Sequence, residues 1–339
     1  MGEFDLIERF FKQKAAAAGM QQARTAIDSV VLGIGDDCAL LQPAPGQQLA
    51  VSCDMLVEGR HFFADVDAAA LGHKALAVNL SDLAAMGAEP LGFTLALALP
   101  PARAQDAPWL DALSDGLLAL ARAHACPLVG GDTTAGPLNL CITVFGQLPA
   151  GQALRRDGAR AGDELWVSGT LGDARLALLA LRGDIDLPPA ALAAARARLE
   201  RPTPRLALGR TLRGIARSAI DLSDGLAGDV GHILAASRVG ACIDLDAASN
   251  LIAARACLAV ANAPFDQNFW RRTVLAGGDD YELAFTAPAA AHHAVRAAAQ
   301  AAATPVTRIG RIEATPGLRL TDAAGRPLAI VAHSFDHFG

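Results

Sequence analysis

Lysine is nearly missing from this sequence. Only Lys12, Lys14 and Lys74 occur, and arginine carries the rest of the basic charge. An anionic ligand is therefore left to arginine or to metal for neutralisation. The six cysteines (Cys38, Cys53, Cys126, Cys141, Cys242, Cys257) include no CxxC pair, which argues against a zinc knuckle and a disulfide framework. They read as small apolar residues. No uninterrupted apolar run reaches the roughly 18 residues that a membrane helix needs. The first residues, with Glu3, Asp5 and Glu8, lack the charged-then-apolar order of a signal peptide, so a cytoplasmic location is expected. A net charge of −6 and a pI near 5.7 give no bulk attraction to nucleic acid or to an anionic membrane, and neither partner is expected. Several site motifs are absent as well. There is no GxxxxGK[ST] loop, no HRD or DFG set, no HExxH and no GxSxG, so P-loop enzymes, protein kinases and zincins are excluded at motif level. Gly33-Ile34-Gly35 is too short for a dinucleotide fingerprint, and Asp221-Leu222-Ser223-Asp224-Gly225 lacks the alternate-position acids of a calcium loop.

What is present describes an ordered globular chain. Its 339 residues are 52% hydrophobic and 19% charged, enough for about two domains with their own cores. Between Pro149 and Gly162 the text turns to Gly, Pro, Arg and Gln, which sets the expected boundary between a domain of residues 1–150 and one of 151–339. Apolar spacing predicts helices over 3–14, 67–86, 108–124, 173–182, 190–200, 249–262 and 288–303, with others starting at Arg205 and after Gly225. Alternation predicts strands over 48–54, 91–99, 138–147, 163–169, 241–246, 306–312 and 317–321. Helices mixed with hairpin-like strands in both halves point to an α+β (two-domain α/β) architecture rather than a doubly wound parallel sheet.

Aspartates accumulate where strands stop or glycines interrupt apolar text: Asp36 and Asp37, Asp54, Asp82, Asp132, Asp221 and Asp224, Asp279 and Asp280. Turns alone do not need so many carboxylates, and long apolar flanks put them on a partly desolvated scaffold. Magnesium takes one or two protein carboxylates and completes its octahedron with water and phosphate oxygens. Single aspartates from separate loops therefore suit several magnesium ions around a polyphosphate. Asn79 and Asp82, three apart, share one helix face.

Five segments carry a family resemblance: Gly33-Ile34-Gly35-Asp36-Asp37-Cys38-Ala39-Leu40-Leu41, Asn79-Leu80-Ser81-Asp82-Leu83-Ala84-Ala85-Met86-Gly87-Ala88, Gly130-Gly131-Asp132-Thr133-Thr134, Ile220-Asp221-Leu222-Ser223-Asp224-Gly225-Leu226 and Gly277-Gly278-Asp279-Asp280-Tyr281-Glu282-Leu283. The chain resembles the thiamine-monophosphate kinases, in the superfamily that also holds aminoimidazole ribonucleotide synthetase and selenophosphate synthetase. The resemblance implies an N-terminal domain that binds ATP and magnesium and whose mixed sheet pairs across a homodimer into a barrel. It implies a C-terminal α/β domain that completes the active site, and transfer of a phosphoryl group from ATP to thiamine monophosphate. An ATP-dependent cyclo-ligase of the aminoimidazole ribonucleotide synthetase type is the alternative.

By the same resemblance Asp37, Asp54, Asp82, Asp132, Asp221 and Asp224 are magnesium ligands, with Ser52 and Cys53 beside Asp54. Gly131, Asp132, Arg156 and Ser223 fall where the family holds ATP. His61, Asp279 and Phe335 fall where it holds the thiamine substrate. Three departures stand out. Cys53 takes a place where a hydroxyl is usual, so that contact is either lost or supplied by Ser52. Asp279 replaces a common glutamate, and Phe335 replaces a larger or hydroxylated ring, keeping stacking but losing a hydrogen bond. No general base is expected, because a phosphate monoester with a second pKa of about 6 is already mostly ionised at neutral pH.

Overall fold

The computed structural model describes residues 2–17, 29–34, 36–260 and 265–330. Gly35, most of the segment 15–29 and Phe335 lie outside the described residues. Contacts divide the chain into two compact units, Met1–Leu83 with Ala88–Gly151 and Ala84–Gly87 with Gln152–Gly339. Among the described residues no helix is long and apolar enough to cross a membrane.

In the first unit a helical segment runs from Glu3 to Ala17, with a π-helical stretch over Ile7–Lys12 that buries Phe10 and Phe11. Lys14 fastens it through its ammonium group to Asp115 (2.8 Å) and Ser114 (2.9 Å). The short strands β1 (Val30–Leu32) and β2 (Leu40–Leu41) pair antiparallel. A four-stranded sheet follows, built from β3 (Gln47–Val57), β4 (Glu89–Leu99), β5 (Leu128–Ala135) and β6 (Asn139–Pro149) in the order β3-β6-β4-β5. Strand β6 is antiparallel to both neighbours, and β4 and β5 are parallel. The period of two decides what each face carries. On β6, Leu140, Ile142, Val144 and Leu148 are buried, each contributing roughly 1.5–3 kcal/mol of apolar burial. On β3, Leu49, Val51 and Met55 are more than half exposed, whereas Ser52 and Asp54 are half-buried on the other side.

Helix Ala107–Ala123 and, as far as Leu83, helix Ala68–Met86 belong to the same unit. Asp106 starts the second by accepting a hydrogen bond from the Trp109 amide (3.2 Å), satisfying one of the orphan amides of a helix start. The two helices meet at Gly116, where a Cβ would lie 1.9 Å from the Ala69 carbonyl oxygen; only glycine fits so close an approach.

The second unit is a six-stranded mixed sheet of β7 (Asp163–Ser168), β8 (Ser218–Asp221), β9 (Gly240–Asp244), β10 (Leu283–Pro288), β11 (Val306–Glu313) and β12 (Gly317–Thr321), in the order β12-β9-β11-β7-β10-β8. Only β12 and β9 run parallel. Trp166 and Phe285 stack at 6.4 Å with an interplanar angle of 7° inside it. Both units are thus mixed α/β, as the sequence leads one to expect. Between β9 and β10 the local detail differs from the sequence reading. The expected strand to Asp246 ends at Asp244, whose carboxylate turns to cap the next helix by accepting from the Asp246 and Ala247 amides (3.1 and 3.0 Å). Of the helix expected over 249–262 the described residues show Arg255–Val260, and a separate short helix, Leu245–Ser249, precedes it; 261–262 lie outside the described residues. A further helix, Gln267–Ala276, is capped by Asp266, which accepts from the Phe269 amide (2.7 Å).

Candidate active site

The first unit contributes one group of candidate residues where β3 lies against helix Ala68–Met86. The Ser52 hydroxyl donates to the Asp82 carboxylate. The Asp54 amide donates to Asn79 Oδ1 (3.1 Å), and Asn79 Nδ2 donates in turn to the Ala75 carbonyl (3.0 Å). Two alternate strand residues thus meet two helix residues spaced by three, the contact that the two periodicities allow. Cys53 lies apart from this group. Strand alternation turns it to the opposite, exposed face, where its Sγ lies 3.5 Å from Cys141 Sγ, so the hydroxyl neighbour of Asp82 is Ser52. Burial, reinforced by the Cys53 neighbour, pushes the Cys141 thiol up to about 11, so that thiol is not poised as a nucleophile.

His61 sits in the turn that leaves β3. Its amide donates to the Val57 carbonyl (3.0 Å), and its Nδ1 accepts from the Val57 amide (3.0 Å). Accepting at Nδ1 puts the proton of the neutral ring on Nε2. The buried Lys74 donates to the His61 carbonyl (3.3 Å). On the edge strand β5, Gly131 has φ +149°, and a Cβ there would fall 1.9 Å from the Leu95 carbonyl oxygen. Asp132 follows, exposed and registered opposite Ala96. Asp37 is exposed, and its amide donates to Asp36 Oδ1 (2.9 Å).

In the second unit the candidates gather on two loops. Asp221 is buried at the end of β8, opposite Leu283 of β10. The loop 222–225 after it is anchored by a residue the sequence reading did not single out. Asp229 Oδ2 accepts from the amides of Ser223 (3.1 Å), Asp224 (3.0 Å) and Gly225 (3.1 Å). Burial raises the Asp229 carboxyl to about 6 against the pull of these amides. Its position in the first turn of helix Leu226–Ser237 was the available signal, since an acid there reaches back to the amides before it.

The loop 277–282 runs beside the first. The Asp279 amide donates to the Ser223 carbonyl (2.9 Å), the Tyr281 amide to Leu222 (2.8 Å) and the Leu222 amide to Glu282 (2.8 Å). The backbones of Ser223, expected toward ATP, and Asp279, expected toward the thiamine substrate, are thereby joined. Arg156 is exposed in a 3-10 turn over Arg156–Gly158, its carbonyl accepting from the Ser237 hydroxyl (2.8 Å). Phe335 lies outside the described residues.

Among the described residues no three His, Cys, Asp or Glu side chains converge into a metal cluster. The side chains that do meet, Ser52 and Asp82, are oxygen groups, and Asp54 lies two residues on along the same strand with its amide on Asn79. They fit a hard cation that takes few protein ligands and fills its shell with water and phosphate.

Comparison with known proteins places the chain among the AIR synthase related proteins. The N-terminal domain model of AIR synthase related proteins matches residues 35–148, and the C-terminal domain model matches 160–323. The thiamine-monophosphate kinase of Salmonella typhimurium (strain LT2) is 44% identical over 339 residues, covering 99% of this chain and 98% of that protein. That of Escherichia coli (strain K12) is 42% identical over 344 residues, with the same coverage. The crystal structure of thiamine-monophosphate kinase from Stenotrophomonas maltophilia K279a is 44% identical, with 95% of this chain and 98% of that one covered and a TM-score of 0.83. On the family models and on identity across nearly the whole length, the chain belongs to the thiamine-monophosphate kinase family.

Proposed function

We propose that this enzyme transfers the γ-phosphoryl group of ATP to thiamine monophosphate, giving thiamine diphosphate and ADP by direct in-line displacement. The observation that carries the reading is the acidic motif set in a chain 44% identical over its length to a thiamine-monophosphate kinase. Transfer between two phosphate groups is a problem of charge rather than of proton removal. The acceptor oxygen is already largely ionised, and the cost lies in bringing it to near-attack distance of another anion. Asp37, Asp54, Asp82, Asp132, Asp221 and Asp224, with Ser52 beside Asp82, would hold magnesium, which would supply positive charge against the phosphate oxygens. Cys53 is left out of this set, because it faces away and its sulfur suits softer metals.

The chain's own groups orient the reactants. Gly131 leaves room for close backbone approach, Ser223 sits on a loop whose amides Asp229 fixes, and Arg156 offers a guanidinium to phosphate. His61 presents an Nε2 proton to an acceptor atom, Asp279 sets a carboxylate against the thiazolium cation, and Phe335 supplies a stacking ring. The exposed apolar stripe Leu49, Val51 and Met55 supports a homodimer formed through the N-terminal sheets. The reaction belongs in the cytoplasm, where ATP is at hand.

The test is direct. Pure protein with ATP, magnesium and thiamine monophosphate is expected to give thiamine diphosphate and ADP in equal amounts. Absence of the diphosphate with every divalent metal tried would overturn the proposal. Label exchange between ADP and ATP without thiamine monophosphate would overturn direct transfer.

A further inference from the structure

Glu282 is fully buried, yet it carries a carboxylate among three donors. Arg205 approaches it with both arms of its fork, Nε to Oε2 at 2.6 Å and Nη2 to Oε1 at 2.5 Å. Arg198 Nη2 reaches Oε1 at 2.8 Å, and the Ser168 hydroxyl donates to Oε2 at 2.5 Å. A buried charge is retained only when its hydrogen-bonding capacity is filled, and here it is.

The clamp reaches into the loop that precedes it. Arg198 Nη2 also donates to the Asp280 carbonyl (3.3 Å). The Asp280 side chain is buried and accepts from the Gly172 amide (2.9 and 3.0 Å). Asp280 is thus held at its carboxyl by one element and at its carbonyl by another. On either side of it, Asp279 (φ +65°) and Tyr281 (φ +49°) take left-handed backbone conformations, which residues with a Cβ hold only when the surroundings impose them. The neighbouring loop 222–225 shares backbone hydrogen bonds with this loop but also has a side-chain anchor of its own in Asp229.

We propose that Glu282, through Arg198 and Arg205, is a positioning residue for the acceptor substrate: the buried clamp holds the loop 277–281 in the strained conformation that presents the Asp279 carboxylate. The proposal rests on the reading of Asp279 as a contact to the thiamine moiety. Loss of the clamp is expected to act on thiamine monophosphate far more than on ATP.

The experiment measures kcat and both KM values for Glu282→Gln, Arg198→Lys, Asp279→Asn and the double variant Asp279→Asn with Glu282→Gln, all in the full chain. Glu282→Gln and Arg198→Lys are expected to raise KM for thiamine monophosphate on the order of tenfold or more, with KM for ATP changed less than about twofold. The double variant is expected to be no worse than Asp279→Asn, since both changes remove one contact. If Glu282→Gln does not fold, Arg198→Lys keeps the positive charge and reads the same effect. A raised KM in Asp279→Asn with an unchanged KM in both clamp variants overturns the proposal alone. Equal changes in the two KM values of the clamp variants also overturn it. An unchanged KM in Asp279→Asn overturns the reading of Asp279, and the proposal with it.

Discussion

At the scale of single residues, the two faces of one strand separate roles that adjacency in sequence runs together. Ser52 and Asp54 look toward Asp82 and Asn79, while Cys53 looks the other way. Cys53→Thr is therefore expected to leave kcat and both KM values within about twofold of the parent, and a larger loss would mean that the thiol face takes part in turnover. Asp54→Asn and Asp132→Asn are expected to lower kcat at least about a hundredfold, in the range for a lost metal contact. Circular dichroism should stay unchanged in both, and retained activity would remove either residue from the site. Gly131→Ala is of another kind. Its Cβ has no room beside the Leu95 carbonyl, so a loss of about 2–3 kcal/mol in urea unfolding is expected. Much of this was legible in advance, because period two and period 3.6 fix which side chains share a face. The partners of Glu282 were not, since Arg198 and Arg205 lie 84 and 77 residues away and long-range pairs leave no local pattern.

At the scale of elements, Asp246 shows how a short helix is tied into its surroundings. From Leu245–Ser249 its carboxylate accepts from Arg271 (2.7 and 2.9 Å) and Gln267 (2.8 Å) on helix Gln267–Ala276, and from the Ala323 amide after β12 (3.1 Å). The Arg271 hydrogen bond holds its pKa down to about 2. A carboxyl depressed on folding stabilises the fold above its unfolded value of about 3.9. That stability is lost as pH falls through about 2. Between those limits the melting temperature of the parent is expected to fall more steeply than that of Asp246→Asn, and parallel curves would refute the assignment. Helix Gln267–Ala276 was not expected from the sequence, although Asp266 three residues before Phe269 is a capping signal. Its polar and aromatic text, Gln267-Asn268-Phe269-Trp270-Arg271-Arg272, lacks the alanine and leucine that marked the others. Tertiary ties through Asp246, rather than intrinsic propensity, decide it.

At the scale of the whole molecule, the two-unit mixed α/β plan followed from composition, punctuation and pattern. The pairing order of strands did not, because register across long separations is set by packing that no short segment records. Burying the β3 stripe in a dimer is expected to give sedimentation at twice the chain mass. Val51→Asp, on the face opposite Ser52, is expected to give monomers.

Strand β3 has one more consequence. Its eleven residues pair without interruption against β6, from Gln47 opposite Pro149 to Val57 opposite Asn139. Ser52 and Asp54 occupy one parity of this count and the apolar stripe the other. Substitutions therefore touch one face at a time, but a change of length by one residue exchanges both at once. In a library of single-residue deletions, the segment from Leu49 to Met55 should be intolerant throughout, whereas the turn at Ala44–Gly46 should accept changes of length. Evolution can edit the letters of this strand, but not its count.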